Sequence, residues 1–143
     1  MTVPQRISMV TLGVADVARA TTFYESLGWR SSSSSNDQVA FFRMQGSVLG
    51  LHGREPLADD AAVDADGSGF RAVTLALNCD SPAEVDAVFD EWVAAGATAV
   101  KEPQPVFWGG YSSYVADPDG HLWEIAHNPY SPNDDSGRMT LQG

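Results

Sequence analysis

Apolar and polar residues alternate along several short segments of the chain, and apolar residues recur at helical spacing along two longer ones. Alternation predicts strands at residues 7–14, 39–44, 47–52, 72–78, 98–101, 111–116 and 122–127. Helical spacing predicts two helices, which Asp16 and Ser81 begin as N-caps and which Gly28 and Gly96 end. The serine run at residues 31–35 is expected to be a loose strand or a loop.

The order of these elements repeats, because each half of the chain reads as a strand, a helix and three further strands. We therefore predict an α+β fold in which residues 1–143 form a single domain made of two βαβββ modules. The modules cover residues 7–53 and 71–128, with an acidic linker at 54–70 and a draped or disordered tail at 129–143. One helix covers only one face of such a sheet. We therefore expect the modules to form a half-barrel mixed sheet that encloses a cleft, with the helices outside.

The last predicted strand carries the strongest candidate for chemistry. Before it, Asp117-Pro118-Asp119-Gly120 is typical of a tight turn. Alternation after the turn places Glu124 on the same strand face as Leu122 and Ala126. A carboxylate among apolar neighbours is costly unless it meets a cation, a metal, a hydrogen-bond donor or water.

Three interpretations of Glu124 stay open. The carboxylate could contact a ligand, act as a general base, or be a structural group paired with a nearby donor such as Arg71 or Arg43. Catalysis usually needs a second positioned group, and the sequence identifies none. If any residue is catalytic, it is Glu124.

Charge and composition narrow the classes of partner. A net charge of −11 and a pI of about 4.3 argue against binding to nucleic acid or to an anionic membrane surface. They permit a cationic ligand, although acidic residues in the linker and the tail also serve solubility alone.

Cysteine content and hydropathy point to a compartment. Cys79 is the single cysteine, so no intrachain disulfide forms, and its apolar strand favours packing over a nucleophilic role. No apolar run reaches the about 18 residues of a membrane span, and residues 1–6 lack the apolar stretch of a signal peptide. We expect a cytoplasmic protein that does not span a membrane.

Two sequence motifs resemble those of a known family. The first is the Val14-Ala15-Asp16-Val17 start followed by Phe23-Tyr24 and Leu27-Gly28, and the second is the Asp117-Pro118-Asp119-Gly120 turn with Glu124 behind it. With the βαβββ repeat, residues 7–128 resemble the vicinal oxygen chelate superfamily, which includes glyoxalase I, extradiol dioxygenases, and fosfomycin- and bleomycin-resistance proteins. The resemblance implies a homodimer.

The resemblance also implies four metal-ligand positions, which fall at Met9, Gly50, Thr74 and Glu124. Only Glu124 suits a hard or borderline cation, because methionine prefers soft metals and glycine has no side chain. One carboxylate is too few for zinc, nickel or iron, so we predict no metal cofactor. The alternative is a divalent metal held by Glu124 and by His52, which shares the strand face of Gly50.

Strand parity and the resemblance together predict a set of ligand-binding residues at the cleft, which also includes Trp108 in a loop and Tyr114, whose side chain could face either way. They are Glu124, Trp108, Met9, Thr11, Thr74, Ala76, His52 and Tyr114. Trp108 is open to two interpretations, an aromatic wall for the ligand or a hydrophobic plug over the cleft.

These expectations favour a metal-independent protein of the glyoxalase/bleomycin-resistance type that binds a small organic molecule, with a cation as one option. Whether it is an enzyme stays open. One alternative is a metal-dependent lyase, isomerase or dioxygenase with a reduced ligand set. A third is an accessory domain that acts through protein contacts.

Overall fold

The computed structural model describes residues 3–142. The chain divides into a first unit, Met1–Ser68, and a second unit, Gly69–Gly143, and each contains a mixed sheet of its own. The predicted α+β class is confirmed. In the described part of the chain, no helix is long and apolar enough to cross a membrane.

The first unit contains a three-stranded sheet and two helices. Its elements are β1 (Met9–Val14), α1 (Val17–Ser26), β2 (Val39–Arg43), β3 (Val48–Gly53) and α2 (Arg54–Asp60). The strand order is β1-β3-β2, with β1 parallel and β2 antiparallel to β3. Asp16 caps α1 as predicted, because its Oδ1 accepts a hydrogen bond of 3.1 Å from the backbone N–H of Arg19.

Helix α1 and one face of this sheet form the core of the first unit. The buried side chains are Leu12, Val14, Val17, Ala20, Phe23, Tyr24, Ala40, Phe42, Leu49 and Leu51. Tyr24 lies at the centre, in edge contact with Phe23 at 4.9 Å and stacked on Trp29 at 5.7 Å between ring centroids. Met9, Thr11 and Gly50 lie on the opposite face of the sheet, which points away from α1.

The first unit differs from a full βαβββ module at the serine run. This segment forms only an isolated bridge between Ser31 and Phe42, not a third strand after α1. The Ser35 hydroxyl accepts a hydrogen bond of 2.9 Å from the N–H of Phe41. The Ser35 side chain thus accepts the hydrogen bond that a carbonyl of a neighbouring strand would otherwise accept from the Phe41 N–H.

The predicted acidic linker at residues 54–70 begins with a helix, α2, and is not a loop throughout. The side chain of Arg54 ties the following segment back to this helix, since its guanidinium donates to the carbonyls of Ala65 and Gly67, both at 2.9 Å. The sequence did not predict this helix, because Pro56 normally interrupts a helix. This proline lies in the first turn of α2, where its missing N–H costs no hydrogen bond.

The second unit is a complete βαβββ module. Its elements are β4 (Thr74–Asn78), α3 (Pro82–Ala94), β5 (Thr98–Pro105), β6 (Tyr111–Ala116) and β7 (Leu122–His127). The strand order is β4-β7-β6-β5, with β4 parallel to β7 and the other pairs antiparallel. Ser81 caps α3 as predicted, since its hydroxyl oxygen accepts from the N–H of Glu84 at 3.1 Å.

Helix α3 packs on one face of the second sheet and forms the core there. The buried side chains are Val85, Phe89 and Trp92 on the helix and Val115, Trp123 and Ile125 on the strands. The rings of Trp92 and Trp123 meet with centroids 5.1 Å apart. Residues of β6 and β7 with the opposite parity therefore point away from α3.

The first part of the predicted draped or disordered tail is hydrogen-bonded to the end of β4. The side-chain amide of Asn78 donates to the Ser131 carbonyl and to Asn133 Oδ1, both at 2.9 Å. Asn133 in turn donates to the Asn78 carbonyl at 2.7 Å and to Asp80 Oδ1 at 2.9 Å. Hydrogen bonds thus hold residues 131 and 133 of the tail against the second unit.

We expect the substitution Asn133→Ala to release this tail. It removes both Asn133 donors and the acceptor for Asn78, which should lower the free energy of unfolding by about 1–2 kcal/mol. Urea denaturation measures the loss, and limited proteolysis should then cleave the tail faster. Gln142→Ala, an exposed amide in the same tail, is the control. Equal behaviour of the two variants would contradict the docking of the tail.

Candidate functional site

Strand β7 places Glu124 in the middle of the sheet face that points away from α3. The register pairs Glu124 with Ala76 on β4 and with Tyr114 on β6. We call this surface the Glu124 face; its members on the three strands are Thr74, Ala76, Asn78, Ser112, Tyr114, Ala116, Leu122, Glu124 and Ala126. Apart from Ser112, these side chains are half-buried or exposed.

Two hydroxyl groups of β6 contact the Glu124 carboxylate. The Ser112 hydroxyl donates to Glu124 Oε2 at 2.8 Å, and Ser112 is only 6% exposed. Tyr114 is the register partner of Glu124 on β6. Burial, the negative charge of Glu124 and a hydrogen bond to it raise the pKa of Tyr114 above its ordinary value. The phenol therefore stays protonated and can donate.

A side-chain donor that the structure records at the Glu124 carboxylate is the Ser112 hydroxyl. Of the two arginines suggested by the sequence, Arg71 donates to the Asp119 carbonyl at 3.1 Å. The sequence interpretation missed Ser112 altogether, and it left the orientation of Tyr114 open in the strand.

The turn before β7 is held by Asp117, which is buried. Its Oδ1 accepts from the N–H of Asp119 at 2.9 Å and from the N–H of His121 at 2.8 Å. Gly120 has φ +86°, a value that favours glycine. This turn joins β6 to β7 and so fixes the register that brings Tyr114 opposite Glu124.

Trp108 lies in the loop between β5 and β6, which a hydrogen bond of 2.9 Å from Val106 N–H to the Gly110 carbonyl closes. Its indole ring lies directly on Gly110, where an added Cβ would overlap the ring. Trp108 is still 40% exposed. Its ring is therefore an aromatic surface group whose position is set by the contact with Gly110 in the same loop. Its contact with a ligand stays a prediction.

The predicted site residues of the first unit lie together on the sheet face opposite α1. A Cβ built on Gly50 would lie 3.2 Å from Thr11 Oγ1 and 3.3 Å from Met9 Sδ. A larger residue at position 50 would therefore require these two side chains to shift by a few tenths of an ångström. His52 follows on the same strand, with Nδ1 3.1 Å from the Gly53 carbonyl oxygen.

The two units repeat the same register at the four family ligand positions. Met9 pairs with the residue two before Gly50, and Thr74 pairs with the residue two before Glu124. Glu124 is the only one of the four positions with a carboxylate or an imidazole. Within residues 3–142, no group of three or more His, Cys, Asp or Glu side chains could hold a metal ion. This donor set does not fit a catalytic metal that needs three protein ligands.

Cys79 and His127 lie outside the Glu124 face. Burial, followed by the charges of Glu84 and Asp80, raises the pKa of the Cys79 thiol to about 11. Nδ1 of His127 lies 2.9 Å from the Cys79 carbonyl oxygen and acts as a donor to it. Both residues serve the packing of β4 against β7.

We expect Cys79 to resist alkylation in the folded protein. At neutral pH a thiol with this pKa is ionised in roughly one molecule in ten thousand, and only the thiolate reacts. The rate of modification by iodoacetamide should rise by at least about tenfold in urea, where the pKa returns to its ordinary value. Equal rates in the folded and unfolded protein would show that the thiol is accessible and reactive.

Comparison with known proteins agrees with this architecture. The family model for the Glyoxalase/Bleomycin resistance protein/Dioxygenase superfamily matches residues 6–125. A glyoxalase-related enzyme from Fulvimarina pelagi is 34% identical, with 98% of this chain and 100% of that chain covered and a TM-score of 0.87. No curated protein matches.

Two more distant structures share the fold. A glyoxalase/bleomycin resistance protein/dioxygenase family enzyme from Burkholderia phytofirmans PsJN is 21% identical over 85% of this chain and 98% of that chain, with a TM-score of 0.77. A lactoylglutathione lyase from Agrobacterium tumefaciens is 23% identical over 87% and 95%, with a TM-score of 0.67. The chain therefore belongs to the Glyoxalase/Bleomycin resistance protein/Dioxygenase superfamily.

Proposed function

We propose that this protein binds a small organic molecule on the Glu124 face and that binding needs no metal. The observation that carries the proposal is the environment of the Glu124 carboxylate. It is half-buried, and the groups placed against it, Ser112 and Tyr114, are neutral hydroxyls. Hydroxyl donors stabilise the negative charge without cancelling it, so the carboxylate keeps its capacity to attract a ligand.

The neighbours of Glu124 support a binding role. Ala76 pairs with it on β4, Ala126 follows two residues later on β7, and Leu122 precedes it on the same face. These side chains are small or apolar and leave room beside the carboxylate. Apolar surroundings with a few placed polar groups are the usual composition of a small-molecule site.

The rival is a metal-dependent lyase, isomerase or dioxygenase, as the names of several relatives suggest. The reduced donor set speaks against it, because Glu124 and His52 are the two candidate ligands and a catalytic metal usually has three protein ligands. This rival would be supported by a metal bound to the purified protein and by turnover that depends on that metal.

A thermal-shift screen of an organic-compound library against three proteins tests the proposal. They are the wild type, Glu124→Gln and the control Glu91→Gln, which changes the same charge on the exposed side of α3. We expect compounds that raise the melting temperature of the wild type and of Glu91→Gln but bind Glu124→Gln at least about tenfold more weakly, the effect of losing a charged hydrogen bond. Hits that stabilise all three proteins equally would contradict the proposal.

The homodimer and the cytoplasmic location stay predictions. Light scattering after size-exclusion chromatography measures the mass in solution, and a mass of one chain at micromolar concentration would contradict the dimer.

A further inference from the structure

We propose that the ligand of the Glu124 face carries a protonated amine or amidine with at least two N–H donors. Ser112 and Tyr114 are the positioning residues that prepare the carboxylate for it. This inference rests on the function proposed above and narrows it to one chemical class.

The Glu124 carboxylate is held in a fixed position. The antiparallel register of β6 and β7 places Tyr114 directly opposite Glu124, and Ser112 two residues further along on the same face. The Ser112 hydroxyl, itself nearly fully buried, donates to Oε2 at 2.8 Å. The carboxylate is thus held by two strands of a packed sheet. A ligand does not bear the entropy cost of ordering it.

The hydrogen-bonding capacity that these side chains offer a ligand consists of acceptors. A hydroxyl has one proton, and Ser112 donates its proton to Glu124 at 2.8 Å. Tyr114 lies directly opposite Glu124 in the register, and a hydrogen bond to this carboxylate is among the causes that raise its pKa. Their oxygens then have only lone pairs to offer. An ionised carboxylate is also an acceptor with about four lone-pair positions, of which the two hydroxyls use two. The three side chains together present acceptors and no donor.

A ligand that complements this cluster must supply hydrogen-bond donors. Ammonium and amidinium groups carry only donors, with two or three N–H bonds that diverge from one charged centre. A neutral alcohol or amide would bring acceptors that find no partner here. A quaternary ammonium has charge but no N–H, so it would leave the acceptors unsatisfied. The cluster therefore selects for N–H donors as well as for positive charge.

The protein's own charges agree with a cationic ligand. The chain carries a net charge of −11, which raises the local concentration of cations. Lys101 is the cation of β5, where it pairs with Tyr114 and is exposed. Strand β6 lies between Lys101 and Glu124, so the two backbones are about 10 Å apart by strand spacing.

A matched series of four probes tests this inference on the full-length protein. Benzylammonium and benzamidinium have N–H donors and charge, benzyltrimethylammonium has charge only, and benzyl alcohol has neither. Chemical shifts of tyrosine labelled at ¹³Cζ report both binding and the pKa of Tyr114. The proteins are the wild type, Glu124→Gln, Ser112→Ala, Ser112→Thr and the control Glu91→Gln.

We expect the two N–H probes to bind the wild type and Glu91→Gln at least about tenfold more tightly than the other two probes, a difference of about 1.4 kcal/mol. They should also lower the pKa of Tyr114, because a bound cation offsets the charge of Glu124 that raises it. Ser112→Ala should weaken binding while Ser112→Thr, which keeps the hydroxyl, restores it. If position 112 had only a structural role, the binding affinity would not depend on whether its side chain carries a hydroxyl.

Two results overturn the inference. One is equally tight binding of benzyltrimethylammonium or benzyl alcohol. The other is that benzylammonium and benzamidinium either do not bind the wild type or bind Glu124→Gln equally tightly. In either case the library screen still decides the proposed function, which fails only if no organic ligand of any class depends on Glu124.

Discussion

Replacing Trp123 with alanine is expected to lower the free energy of unfolding by about 3–5 kcal/mol, a large fraction of the stability of a small domain. Trp123 is 3% exposed and lies on the core face of β7, with its ring 5.1 Å from that of Trp92 on α3. Truncation removes an aromatic pair and opens a cavity that a packed sheet and helix cannot fill. Urea denaturation followed by circular dichroism measures the loss.

Phe107→Ala is the matched control for this experiment. Phe107 is an aromatic residue of the same unit, but it is fully exposed in the loop between β5 and β6. Its truncation should change the free energy of unfolding by less than about 0.5 kcal/mol. If the two variants unfolded at the same urea concentration, Trp123 could not be part of the core of the second unit.

The second large effect is expected at Asp117, where alanine should cost about 2–4 kcal/mol because two N–H donors lose a charged acceptor. Those donors belong to Asp119 and His121 in the turn that begins β7. Asp117→Asn should cost less, since an amide oxygen can still accept from both. Equilibrium unfolding measures the stability, and amide hydrogen exchange at residues 119 and 121 shows whether the turn opens.

The two Asp117 variants also test how the turn supports the site. If the turn sets the register of β6 and β7, Asp117→Ala should disturb the contact between Tyr114 and Glu124 and lower the pKa of Tyr114 towards its ordinary value. A turn that opens while the Tyr114 pKa stays raised would separate the two features and contradict this link.

Much of the fold could be predicted from the sequence because its signals are local. The caps at Asp16 and Ser81, the Asp117 turn and the alternation after it each depend on neighbouring residues. The contact of Ser112 and Tyr114 with Glu124 was also within reach. A tight turn at residues 117–120 pairs Ala116 with Leu122, and counting back along both strands brings Tyr114 opposite Glu124.

Other features had no local signal. The docking of the tail depends on amide groups of Asn78 and Asn133, which are 55 residues apart and follow no periodicity. The serine run lost its strand because side-chain hydroxyls took over backbone donors, a competition that residue type alone does not decide. Helix α2 was hidden by Pro56, whose effect depends on its position within the first turn.

The most direct test of the central claim is isothermal titration of the best Glu124-dependent ligand, measured with the protein in excess EDTA and again with added zinc, nickel, manganese or ferrous iron. We expect the same affinity in every buffer and at least about tenfold weaker binding to Glu124→Gln. Binding that disappears in EDTA and returns with one of the metals would contradict it, and would make Glu124 a metal ligand instead.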